Sequence, residues 1–281
     1  ALKIKKSIQI KRLYILGKKH FRYPFFMTPY NLIGTLRERL IYFFIGGQNA
    51  GIGSLYSLSY RLLNIPNTVV AASIRPLVFQ QFQKYGVSKF EKIVVSLNSI
   101  KVNLISPIWA WLLFNSEQLC VNFLGDKWKG AGEIFIYVSI ATFPHMFSNY
   151  LDRVFDVKGK QKIAFFMELA TFILVSAGLA INWMYKSSGI YIVFTQMIIM
   201  GLIYIFYHIL IYKIANFDLK KLIKLYLKLF VKIILFTLLW SLFSSFNLSF
   251  IFSLFALILV LIISIILHSN QLKAFYCDLN S

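Results

Sequence analysis

Carboxylates are scarce in this chain. Ten Asp and Glu stand against thirty Lys and Arg, for a formal net charge of +20. Cysteine is scarcer still: Cys120 and Cys277 are far apart, no CxxC occurs, and four scattered His lack metal-ligand spacing. That excludes a disulfide framework, a zinc site and haem attachment. No signal-peptide pattern opens the chain. It begins at Ala1 without a Met, so we read it as a portion of a longer protein whose N-terminal part is missing. Strict polar–apolar alternation is absent, which argues against an outer-membrane barrel. Long loops are absent too, so no catalytic domain and no catalytic residues are expected, and function must sit within the apolar bundle.

What the chain has in abundance is apolar length. It is 58% hydrophobic and 17% aromatic over 281 residues, with a mean hydropathy of +0.69. Soluble domains lie near ~45–50% apolar. Runs of about twenty residues, enough to cross a bilayer core as helices, recur near 25–45, 51–79, 93–114, 129–151, 162–183, 189–212, 225–244 and 249–267. The expected fold is all-α and polytopic: a six-helix transmembrane lobe over 25–212, preceded by a basic segment over 1–24. Residues 213–281 add a basic loop, a lipid-facing hairpin and a short tail. The opening segment, in which Lys and Arg alternate with Leu and Ile, reads either as an interfacial amphipathic stretch or as a plain cytoplasmic linker, with Pro24 separating it from the first apolar run.

Basic residues collect in cytoplasmic loops of membrane proteins. With both termini placed in the cytoplasm, twenty-three of the thirty fall in inside segments and only Lys127, Lys129 and Lys186 fall outside. This placement accounts for most of the charge without a nucleic-acid partner. Pro66, Pro107 and Pro144 interrupt three of the segments, serving either as hinges or as ordinary packing kinks.

Four basic residues lie within spans: Arg37, Arg39, Arg61 and Lys101. Charges at that depth are costly and mark cavities or transport paths. Ser54, Ser57, Arg61, Asn64 and Thr68 fall on one helical face. Asn31, Thr35, Glu38 and Tyr42 form a similar stripe with Arg39 beside it, and Arg37 lies on another side, next to Gly34 and Ile41. One reading is a cationic cavity that attracts an anion, since the planar guanidinium suits phosphate. The other is that Glu38 pairs with Arg39 or Arg61 to hold helices together. Lys101, one turn after Asn98, either joins the cavity or reaches the cytoplasmic face. Glu168 is a lone carboxylate inside the fifth segment, a candidate for sodium or proton coupling and equally for helix pairing. His145 and His208 read as structural.

Three runs carry a resemblance. Gly53-Ser54-Leu55-Tyr56-Ser57-Leu58-Ser59-Tyr60-Arg61-Leu62 is followed by Ile65-Pro66. Leu124-Gly125-Asp126-Lys127-Trp128-Lys129-Gly130-Ala131 forms a turn, and Gly159-Lys160-Gln161-Lys162 a short basic turn. In order and spacing these resemble the C-terminal half of polysaccharide or O-antigen repeat-unit flippases, within the multidrug, oligosaccharidyl-lipid and polysaccharide exporter superfamily. Where this chain has Arg37-Glu38-Arg39, such proteins usually show an Asp-Arg pair. The resemblance implies a membrane transporter rather than an enzyme, located in the bacterial inner membrane. It would move an undecaprenyl-diphosphate-linked oligosaccharide across by alternating access. A missing N-terminal lobe, a polysaccharide polymerase and a chain-length regulator are the implied partners. The alternatives are a cation-coupled small-molecule exporter of the same superfamily, or a membrane enzyme of polysaccharide assembly.

Overall fold

The computed structural model describes residues 22–48, 51–65, 68, 72, 87–245, 250–270 and 273. The expectations for residues 1–21, Pro66 and Cys277 lie outside the described residues. Helices account for almost all of what is described, with no strand among the described residues. Among the described residues, four helices are long and apolar enough to cross a membrane: Lys89–Leu124, Gln161–Met184, Gly189–Ala215 and Phe250–Leu267.

Helix α1 (Arg22–Gln48) begins before Pro24 rather than after it. A proline in the first turn costs no hydrogen bond, because those N–H groups have no partner inside the helix. Pro24 therefore lies within the described helix rather than ahead of it. Helix α2 covers 51–65. A Cβ on its Gly53 would stand only 3.1 Å from the Gly46 Cα, so the glycines around this turn allow the two backbones to come close. In α2 the buried side chains are Tyr56, Ser59 and Leu63, whereas Ser54, Arg61 and Thr68 are exposed. Part of the polar stripe thus lies away from the packed interior, while Ser57 and Asn64 are half-buried.

Helix α3 (Val87–Leu124) is 38 residues long, about 57 Å at 1.5 Å per residue. It takes up most of 115–128, the stretch between the apolar runs 93–114 and 129–151, and Cys120 is buried on the helix. The turn that remains is short: η1 (Asp126–Trp128), then Gly130, whose φ of 91° suits glycine. Glu117 closes it. Its carboxylate accepts from Gly130 N at 2.6 Å and from Gly132 N at 2.8 Å. These are unpaired donors at the start of α4 (Ala131–Ser148), where negative charge is also favoured by the helix dipole.

The short α5 (Arg153–Val157) leads to α6 (Gln161–Met184) and α7 (Gly189–Ala215). Ser188 caps α7 by accepting from Tyr191 N, and Asn216 ends it in the left-handed conformation. Helix α4 lies along α7, and its Pro144 leaves the Ile140 carbonyl without a helical donor. Gly201 of α7 sits over that carbonyl; a Cβ there would be 2.8 Å from it. A small residue is needed for backbones this close.

Helix α8 (Leu219–Ser245) runs parallel to α3, with Lys221 bonded to Glu91 at 3.1 Å and Lys228 donating to Ser99 Oγ at 2.9 Å. Helix α9 (Phe250–Leu267) returns antiparallel to α3, with Ser253 donating to Asn115 Oδ1 and Ser264 to the Asn103 carbonyl. The C-terminal pair is therefore not wholly lipid-facing. One face of α8, with Leu222, Leu225, Leu229 and Trp240, is buried, while most large apolar side chains of α9 are exposed.

Candidate functional site

Helices α1, α2, α4, α6 and α7 surround a cavity of 560 Å³. Tyr30, Arg37 and Glu38 line it from α1, and Tyr60, Asn64 and Thr68 from the second helical segment. The end of α4 and the turn beyond it contribute His145, Asn149 and Asp152. Glu168 and Thr171 come from α6, Tyr204 and Tyr207 from α7.

At its wall, Arg37 Nη1 meets Glu168 Oε1 at 2.8 Å, with only 8% and 12% of the two side chains exposed. Local sequence makes this possible. Arg37, Ile41 and Ile45 are the buried face of α1, and Gly34 sits one turn earlier on it. A Cβ at Gly34 would be 3.3 Å from Glu168 Oε1, so the missing side chain gives the carboxylate its room. Tyr204 lies within hydrogen-bonding range of Arg37. The imidazole of His145 stacks on the Tyr204 ring, with centroids 4.4 Å apart and planes at 25°.

The charges on this wall are Arg37 against Glu38, Asp152 and Glu168. Carboxylates outnumber guanidinium among the described residues, in contrast to the cationic lining expected from sequence. Arg39 and Arg61 are exposed and do not line the cavity, although both lie within electrostatic range of the Tyr42 hydroxyl, as does Glu38. Asn64 and Thr68 line the cavity; Ser54 and Ser57 do not. Asn31 is exposed, and Thr35 donates to the Asn31 carbonyl within its own helix.

Lys101 is elsewhere. It is 4% exposed and donates at 2.9 Å to the Met146 carbonyl, with its ammonium 3.9 Å from the centre of the Tyr150 ring. Met146 is in the last turn of α4, where carbonyls lack helical donors and the dipole favours a cation. The ammonium thus completes a helix end instead of meeting a ligand. His208 is also away from the cavity, fully buried, with Nδ1 at 2.9 Å from the Tyr226 hydroxyl.

Sequence reasoning did not find His145, Asn149, Asp152 or the four tyrosines as lining residues. It placed Arg37 apart from the stripe and Glu168 alone. The available signal was the pairing rule: a carboxylate deep in an apolar run needs a cation. Arg37 beside Gly34 was the deep cation with space next to it.

The lining can hold a polyhydroxylated or mixed-charge ligand through tyrosine hydroxyls, amides and carboxylates. Among the described residues, no cluster of three His, Cys, Asp or Glu could hold a metal ion. No family model matches the chain, and no curated protein or solved structure matches it.

Proposed function

We propose that the chain is the C-terminal part of a transporter that moves an undecaprenyl-diphosphate-linked oligosaccharide across a bacterial cytoplasmic membrane. The observation that carries this reading is the polar, tyrosine-rich cavity walled by five elements of an apolar helical bundle. Polar side chains inside such a bundle mark a substrate path. The oligosaccharide occupies this cavity, bonding to the tyrosine hydroxyls, Asn64, Asn149 and the carboxylates. The exposed Arg39 and Arg61 supply positive charge for the diphosphate. An N-terminal lobe of the same protein closes the opposite side.

The proposed topology has eight crossings with both termini cytoplasmic. Helix directions support the alternation of its segments. Segments of the same parity pack parallel, as α3 does with α8 and α4 with α7, whereas α3 and α4 pack antiparallel, with Tyr150 bonded to Asn98 and Ser116 to the Gly132 carbonyl.

The test uses the full-length protein in vesicles loaded with labelled lipid-linked oligosaccharide, scored by exposure of the sugar to an impermeant glycosidase. The wild type exposes it, and Arg61→Ala slows exposure while the protein remains in the vesicles. Exposure unchanged by Arg61→Ala counts against the diphosphate site.

A second reading is supported by the carboxylate excess on the cavity wall. An anionic cavity suits a cation-coupled exporter of small organic cations, with Glu168 or Asp152 as the coupling group. Drug susceptibility of cells with and without the protein separates the two readings. A raised tolerance that needs Asp152, with no effect on sugar exposure, favours the exporter.

A further inference from the structure

A second cavity, of 570 Å³, opens between α4, α7 and α8, on the side of α4 and α7 away from the polar one. Its lining is apolar: Phe143, Ile209, Leu222, Tyr226 and Phe230 are representative, with Tyr226 the one side chain carrying a polar group. Its lip is open, with Ile223, Leu227 and Phe230 each more than half exposed.

The two ends of this groove differ in charge. Lys213 stands one helical turn beyond Ile209 on α7, and Lys220 stands in the first turn of α8, just before Leu222 and Ile223. Both are exposed, and neither has an acidic partner among the described residues. Two other lysines of α8 are committed to α3, Lys221 to Glu91 and Lys228 to Ser99. The far end of the groove is bounded by Ile140 and Ile233, with no charge among its lining residues. An apolar slot with two such cations at one mouth complements a molecule with an apolar tail and an anionic head.

We propose that this groove binds an anionic membrane phospholipid, with one acyl chain between α4, α7 and α8 and its phosphate at Lys213 and Lys220. The site is separate from the polar cavity and does not depend on the identity of the transported molecule. A juxtamembrane cation attracts an anionic lipid head, and the attraction falls within a Debye length. The apolar slot adds selectivity for a lipid over a free anion.

The experiment uses the full chain in nanodiscs of equal phosphatidylcholine and phosphatidylglycerol, released into the gas phase for native mass spectrometry. The wild type retains phosphatidylglycerol in preference to phosphatidylcholine. Lys213→Ala and Lys220→Ala each lower that preference roughly fivefold, and Lys127→Ala, at the other end of the bundle, leaves it unchanged. Ile209→Trp, which fills the slot, lowers retention of both lipids, with its melting temperature confirming that it folds. The lysine variants are at exposed positions and test the site even if the tryptophan variant does not fold. Equal retention of the two lipids by the wild type overturns the proposal, as does a preference that neither lysine variant changes. Displacement of phosphatidylglycerol by undecaprenyl phosphate, with loss of that binding in Ile209→Trp, also overturns it, because the groove would then belong to a carrier lipid.

Discussion

Arg37 and Glu168 are each nearly closed to solvent and 2.8 Å apart. Removing one partner from such a pair leaves a buried charge uncompensated, at about 3–5 kcal/mol, whereas an apolar pair of similar volume can be nearly neutral. Arg37→Ala is therefore expected to lower thermal stability in detergent strongly, and Arg37→Met with Glu168→Leu to restore most of it. A double variant no more stable than the single one would show that the pair is not an isolated unit. Lys101 invites a different prediction. Its charge meets a helix end and an aromatic face, contributions of about 0.5–2 kcal/mol each. Lys101→Met should lower stability by about 1–3 kcal/mol without changing ligand binding in the cavity, as read by unfolding and by a binding assay on the same sample. The residue scale was only partly legible in the sequence. Depth along a segment identified Arg37, Lys101 and Glu168 as exceptional, but facing direction depends on which neighbour each helix packs against. The stripe of Asn31, Thr35 and Glu38 was more conspicuous than the face with Gly34, Arg37 and Ile41. Yet the second face is the one buried against α6.

At the scale of elements, close approach is set by glycine and proline together. Pro144 frees the Ile140 carbonyl, and Gly201 lets α7 come against it. Overpacking at such a contact costs about 1–3 kcal/mol. Gly201→Val should separate α4 from α7 and enlarge the polar cavity near His145 and Tyr204. The check is a spin-label distance between the two helices, which should increase relative to wild type. The α3–α4 turn is held by Glu117 through two backbone donors. The sequence hides this, because hydropathy places Glu117 in a loop. A helix of 38 residues exceeds what a bilayer core needs, so hydropathy alone located the apolar centre of α3 and missed its polar last turns.

For the whole molecule, helical class and the four helices long and apolar enough to cross a membrane were readable from composition and period, because apolar helices need no partner to be recognised. The cavity was not, because it is made by side chains from five elements. The expected cationic wall rested on arginines of α1 and α2, while the carboxylates of the cavity wall come from α1, α6 and the turn after α4. Topology gives a further prediction. In a chain carrying Cys277→Ser and retaining only the buried Cys120, cysteines introduced one at a time at Lys158 and Lys213 should be labelled from one side by an impermeant thiol reagent, and those at Lys127 and Lys186 from the other. Labelling of Lys127 and Lys213 from the same side would contradict strict alternation.

The central claim is that the polar cavity is the path of a lipid-linked oligosaccharide. Surface polysaccharide, measured in cells that depend on the full-length protein carrying both Arg37→Met and Glu168→Leu, tests it most directly, because this pair separates folding from cavity chemistry. The expected result is membrane protein near wild-type level with polysaccharide largely lost. Normal polysaccharide from that variant would contradict the claim.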